Sequence, residues 1–164
     1  MSATRYTTAS IVASVVAAFG TAAVGGLVTE IGPWYRNLVK PSWQPPDFLF
    51  GPVWTLIFAL LAAAIILAWN AEPTASGRAA IAAAYAVNLV LNALWSFLFF
   101  GRKRPDWALA EVVPFWVSIV VLIVVVRPRS SLGAWLLVPY LLWVSFATVL
   151  NRAIVRLNGP FPHA

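Results

Sequence analysis

The sequence contains no cysteine, which excludes disulfides and thiolate metal sites and leaves the redox compartment without a signature. Its one histidine is His163. A His-based triad, a His-rich metal centre and an intramembrane histidine ligand for haem iron are therefore ruled out, and no metal site is expected. Acidic residues number five, and Glu111 is the only one inside an apolar run, so paired carboxylates for acid–base chemistry are missing too. Charge of either sign is scarce, at 10% of residues against 62% hydrophobic.

That composition belongs to proteins for which the bilayer is the solvent. About 20 apolar residues span the hydrocarbon core as a helix, and five stretches qualify, at residues 8–29, 48–70, 79–101, 107–126 and 132–155. Closed β-barrels need strands that alternate apolar and polar over about 10 residues, whereas Ile119 to Val126 is continuously apolar. The expected fold is all-α, one integral membrane bundle of five transmembrane helices occupying residues 1–164, with residues 30–47 as its first connection. Arg5 and the apolar run behind it resemble a secretory signal, but a signal's apolar region runs about 7–15 residues. With no charge between Arg5 and Glu30, a retained helix is expected.

The net charge of +6 does not indicate a nucleic-acid partner, because the basic residues lie in short breaks between apolar runs and not on one folded face. Counting Lys and Arg in those breaks gives four on the side of the N-terminus and seven on the other side, which includes Arg102, Lys103 and Arg104. The positive-inside rule then places the N-terminus outside and the C-terminus in the cytoplasm. Alanine richness points to a bacterial cell membrane.

The first connection holds Trp34, Tyr35, Trp43 and the prolines 33, 41, 45 and 46. Fixed φ angles stiffen it, and its aromatic content predicts a segment folded back on the bundle as a lid. Pro52, Pro114 and Pro139 fall inside spans, where each is expected to bend its helix and open space between neighbours. Glu111, about one turn inside the fourth span, is expected to snorkel to the interface near Arg102–Arg104; an intramembrane proton or ligand path is the alternative.

Tryptophan is the residue in excess, with nine copies beside ten phenylalanines. Trp69, Trp107 and Trp135 sit near segment ends and fit an interfacial belt. Trp54, Trp95 and Trp143 lie deeper, beside prolines or asparagines, where flat indole faces suit a planar apolar ligand as well as they suit packing. Asn88 and Asn92 share one helix face with Trp95, and buried amides in lipid need partners, so that face should look inward. Ala79, Ala82, Ala83 and Ala86 permit close approach of another helix and suggest a homodimer seam.

Read together, Trp34-Tyr35 with Leu38, the run Lys40-Pro41-Ser42-Trp43-Gln44-Pro45-Pro46, Gly51-Pro52-Val53-Trp54, Asn92 with Trp95 and Phe99-Phe100-Gly101, and Pro139-Tyr140-Leu141-Leu142-Trp143 with Ala147-Thr148 and Leu150-Asn151 resemble the tryptophan-rich sensory protein / translocator protein family, also known as the peripheral benzodiazepine receptor family. The resemblance runs from about Trp34 to Asn158. It implies five helices, usually as a homodimer, with a pocket beneath the first loop that takes porphyrins such as protoporphyrin IX, sterols, and benzodiazepine-type ligands. It also admits the bacterial outer membrane as a location. By motif position it implies ligand-binding roles for Trp34, Trp54, Asn92, Trp95, Trp107, Tyr140, Trp143 and Ala147, with Trp54 and Trp143 as the reactive pair if the protein degrades porphyrin in light.

One departure bears on the ligand. Animal members carry a proposed sterol motif, Leu or Val, then Tyr, then Arg or Lys, at the end of the last helix. Arg152 stands here where its tyrosine would fall, which favours porphyrin over sterol. The expected function is porphyrin binding with a sensing or stress-response role and no resident cofactor. A light- and oxygen-dependent porphyrin-degrading enzyme and a porphyrin or sterol transporter are the alternatives; no internal repeat of the kind transporters carry is visible.

Overall fold

The computed structural model describes residues 8–28 and 32–161; Arg5, Glu30 and His163 lie outside them. The chain runs through α1 (Thr8–Val28), α2 (Pro33–Asn37), a 3₁₀ turn (Asp47–Leu49), α3 (Phe50–Ala71), α4 (Ala75–Ser96), a π-helical turn (Phe97–Gly101), α5 (Pro105–Val126), α6 (Ser131–Leu136) and α7 (Val138–Asn158). Among the described residues there is no strand.

Four helical stretches, Asp47–Ala71, Ala75–Gly101, Pro105–Val126 and Ser131–Asn158, are long and apolar enough to cross a membrane, and Val12–Thr21 adds a shorter apolar helix. The inward faces follow helical spacing. On α4 the buried residues are Gly77, Ile81, Tyr85, Asn88, Leu89 and Asn92, so the two asparagines look inward as their spacing requires. Outward faces are apolar as well: Val113, Val117, Val121 and Val124 on α5, and Val87, Val90 and Leu94 on α4, are exposed. A continuous apolar exterior of this kind is costly in water and free in lipid. Length, hydropathy and this exterior define a multi-pass membrane protein. Ala79, Ala82, Ala83 and Ala86 also lie on the outer face of α4.

The structure departs from the sequence reading in three places. Residues 132–155 are not one continuous helix: α6 stops at Leu136 and α7 restarts at Val138, because Pro139, in the first turn of α7, brings no N–H to carry the ladder across. Pro52 lies in the first turn of α3, where a missing N–H costs nothing, so it bends no helix; only Pro114 is interior, in α5. The third helix begins four residues before residue 79, at Ala75, where the Thr74 hydroxyl accepts from the Gly77 N–H at 3.0 Å and caps it.

That cap belongs to a polar latch opposite the first loop. Glu72 accepts from the Thr74 N–H and hydroxyl (2.9 and 2.6 Å) and from Arg129 Nε (2.6 Å), tying the α3–α4 connection to the α5–α6 connection. These bonds, those from Thr74 first, hold the Glu72 carboxyl at about 2, below its ordinary 4.5. A depressed carboxyl stabilises the fold above its unfolded value and loses that contribution as pH falls from about 4.5 towards 2. Thermal unfolding in detergent should show Glu72→Gln less stable than wild type at neutral pH, with the gap closing as acid neutralises the native carboxylate. A gap that stays constant throughout that range would contradict the latch.

Candidate functional site

Where α3, α4 and α7 meet the first loop, the bundle leaves a cavity of about 380 Å³, within the roughly 300–1,000 Å³ usual for small-molecule sites. Its walls are periodic. Gly51, Trp54, Thr55 and Phe58 come from α3, Asn92, Trp95, Ser96 and Phe99 from α4 and the π-helical turn, and Trp143, Ala147, Leu150, Asn151 and Ile154 from α7. Each set repeats at three or four residues, so each is one helix face. Two small residues keep the space open: Ala147, and Gly51, where an added Cβ would meet nothing within 4 Å.

Aromatic contacts fix the walls. Trp54 meets Tyr140 edge-on at 6.2 Å between ring centroids, and Phe50, one turn before Trp54, meets Trp143 at 5.7 Å. Trp95 stacks on Phe99 at 5.1 Å. The π-helical turn that ends this segment carries Phe99 and Phe100, which both line the cavity. The first loop contributes Tyr35, Gln44 and Asp47 to the lining. It is held there by the Tyr35 hydroxyl and Gln44 Nε2 donating to Asp47 (both 3.0 Å), by Lys40 paired with Asp47 at 3.4 Å, and by Asn158 of α7 bonded to both backbone groups of Val39. Burial, and then the bond to Asp47, push the Tyr35 hydroxyl above its ordinary value, so it stays a neutral donor.

Of the residues expected at a ligand site, Trp54, Asn92, Trp95, Trp143 and Ala147 line this one cavity. Trp34, Trp107 and Tyr140 stand outside the lining. Trp34 packs edge-on against Phe99 at 6.1 Å. Trp107 is 42% exposed, under the Arg104 guanidinium at 4.2 Å. Tyr140 is buried behind Asn92, whose Nδ2 donates to its hydroxyl at 3.0 Å. Tyr140 in turn donates to Asn88 Oδ1 (3.2 Å), Asn88 Nδ2 to Ser118 Oγ (2.9 Å) and Ser118 to the Phe115 carbonyl (2.6 Å). A carbonyl can only accept, so it sets the direction of the whole string and commits the Asn92 amide nitrogen to Tyr140. Sequence reasoning missed Phe50, Phe58, Leu150, Asn151 and Ile154, although their spacing from Trp54 and Trp143 is the signal that finds them.

Glu111 does not snorkel. It is 9% exposed, and neither carboxylate oxygen has a hydrogen-bond partner. The residues that share its face, Ala108, Val112, Phe115 and Ser118, are buried, so the α5 backbone turns it into the bundle. The indole N–H groups of Trp95 and Trp143 are also buried without partners. Among the described residues no cluster of His, Asp or Glu is arranged to hold a metal ion.

Fold and cavity together define a multi-pass membrane helical bundle that encloses a cavity, with aromatic walls drawn from three helices and a tethered loop across them. The chain matches the TspO/MBR family over residues 11–157. It is 40% identical over 129 residues to the tryptophan-rich protein TspO of Chlorobaculum tepidum, covering 76% of this chain and 79% of that one. To the tryptophan-rich sensory protein of Cereibacter sphaeroides it is 37% identical over 149 residues, covering 91% and 92%. It is also 34% identical over 126 residues to the translocator protein of Homo sapiens, covering 76% and 75%. The chain belongs to the TspO/MBR family.

Proposed function

We propose that the cavity binds flat, largely apolar tetrapyrroles of the protoporphyrin IX type, and that binding serves a sensing or regulatory role in a bacterial membrane. The observation that carries this reading is the convergence of Trp54 from α3 and Trp143 from α7 on one cavity, because indole side chains lining a shared space offer flat apolar surface that suits a planar ring. The name of the Cereibacter sphaeroides relative, a sensory protein, agrees with the regulatory role. In this reading α1 completes five spans, the N-terminus lies outside, and two copies of the chain associate through α4.

Titration of purified protein with protoporphyrin IX, read by tryptophan quenching, tests the site. The Trp54→Ala, Trp143→Ala double variant should bind at least about a hundredfold more weakly, on the order of 3 kcal/mol for two lost aromatic walls. Equal affinity would remove the site. A second reading, light- and oxygen-dependent porphyrin breakdown, is favoured by the same two oxidisable indoles; illuminating the titrated sample separates it from binding, because an enzyme yields more than one equivalent of product per protein.

A further inference from the structure

We propose that Glu111 is a proton-binding site directly behind the cavity wall, and that its proton sets the charge the cavity tolerates in a ligand. The second half rests on the tetrapyrrole reading above; the first half does not.

The helix register places the carboxyl. α4 and α5 are joined by the bond from Asn88 Nδ2 to Ser118 Oγ, and two turns further along this antiparallel pair Trp95 and Glu111 stand level. On the other side, α5 meets α7 through Trp116 Nε1 donating to Ser145 Oγ at 2.8 Å. It meets α7 again through Asn151, whose amide in its satisfied orientation donates to the Pro105 carbonyl (3.0 Å) and accepts from the Leu109 N–H (3.2 Å). Glu111 falls between those two links, and so does Ala147 opposite it. Trp95 and Ala147 both line the cavity, so the carboxyl sits one side chain back from the ligand space.

Among the described residues, the elements around the carboxyl supply it no counter-charge. α3, α6 and the π-helical turn carry no titratable side chain. On α4, Arg78 is bonded to the Glu72 carbonyl and the Tyr85 hydroxyl to the Ser14 carbonyl. On α7, Tyr140 is held between Asn88 and Asn92, while Arg152 and Arg156 are exposed. Within α5, Asp106 is paired with Arg104. An ionised carboxylate without a partner in a membrane interior is among the costliest groups a fold can hold, and binding a proton removes the cost. An anionic ligand behind the same wall raises the cost of ionisation further. Proton occupancy of Glu111 and anion occupancy of the cavity therefore favour each other, and the coupling is reciprocal.

Two measurements on the full chain in lipid nanodiscs test this. Infrared spectra at neutral pH should show a protonated-carboxyl C=O band in wild type that is missing from Glu111→Gln. A wild-type spectrum with no such band overturns the proton site, and following the wild-type band with pH needs no variant. Affinity for protoporphyrin IX, which carries two carboxylates, should fall in wild type by at least about tenfold relative to Glu111→Gln as pH rises from about 5 to about 9, the range in which buried glutamates titrate. The uncharged dimethyl ester should show no such difference. Parallel pH profiles for the wild-type and variant proteins overturn the charge coupling. If neither porphyrin binds either protein at any pH, the tetrapyrrole reading and the coupling that rests on it both fall, and the infrared band alone decides the proton site.

Discussion

Replacing Ala147 with phenylalanine should weaken protoporphyrin binding by about a hundredfold or more while leaving the unfolding temperature unchanged or raised. The two outcomes separate because Ala147 faces open space: it lines the cavity of about 380 Å³, and a benzyl group there occupies the volume the ligand needs. An overpacked site typically costs about 1–3 kcal/mol, and here that cost falls on the bound state. The free protein gains contacts by filling a void lined with aromatic rings. Gly51→Leu, entering from the α3 wall where an added Cβ meets nothing within 4 Å, should give the same pattern from another side. Calorimetric titration with a parallel thermal melt reads both quantities. Full affinity in the Ala147 variant would mean that the ligand lies elsewhere.

Asn88→Ala should destabilise the bundle on the order of 2 kcal/mol and loosen the cavity wall with it. Asn88 is fully buried and sits mid-string, accepting from Tyr140 and donating to Ser118. Removing it leaves the Tyr140 hydroxyl without an acceptor and Ser118 without a donor in a site water does not reach, at roughly 1–3 kcal/mol for a buried orphaned group. Because Asn92 is oriented through Tyr140, ligand affinity should fall too, although Asn88 does not line the cavity. Equilibrium unfolding in mixed micelles, run as a cycle with Ser118→Ala, checks the network. Interhelical polar pairs in membranes couple by about 0.6 kcal/mol on average, so the double variant should lose less than the sum of the singles. Strict additivity would show that the string does not act as a unit.

Several features could be read from the chain directly. The apolar runs mark the long helices, because the length needed to cross hydrocarbon and the cost of charge there are properties of a local stretch. The inward turn of Asn88 and Asn92 was equally legible, since an amide in lipid has nowhere else to go. Trp54 and Trp143 stood out as deep aromatics beside prolines. The break at Leu137 was not legible, because a proline in an apolar run signals a kink, a first-turn residue or a stop with the same letters. The position of Glu111 was hidden for a related reason: one turn inside a span, a glutamate reaches the interface or the core depending on which way the helix is rotated, and that rotation is set by contacts with α4 and α7.

The amino-acid sequence by itself therefore determined the solvent, the helical class and the family motifs of this protein, all of which follow from composition and spacing within short segments. Tertiary structure alone decided that indoles from α3, α4 and α7 surround one cavity, that Tyr140 supports Asn92 from behind the lining, and that Glu111 is sealed in without a partner. A cavity is space that several helices fail to fill together, and an unpaired charge is a partner that several helices fail to supply; neither is a property of any one segment.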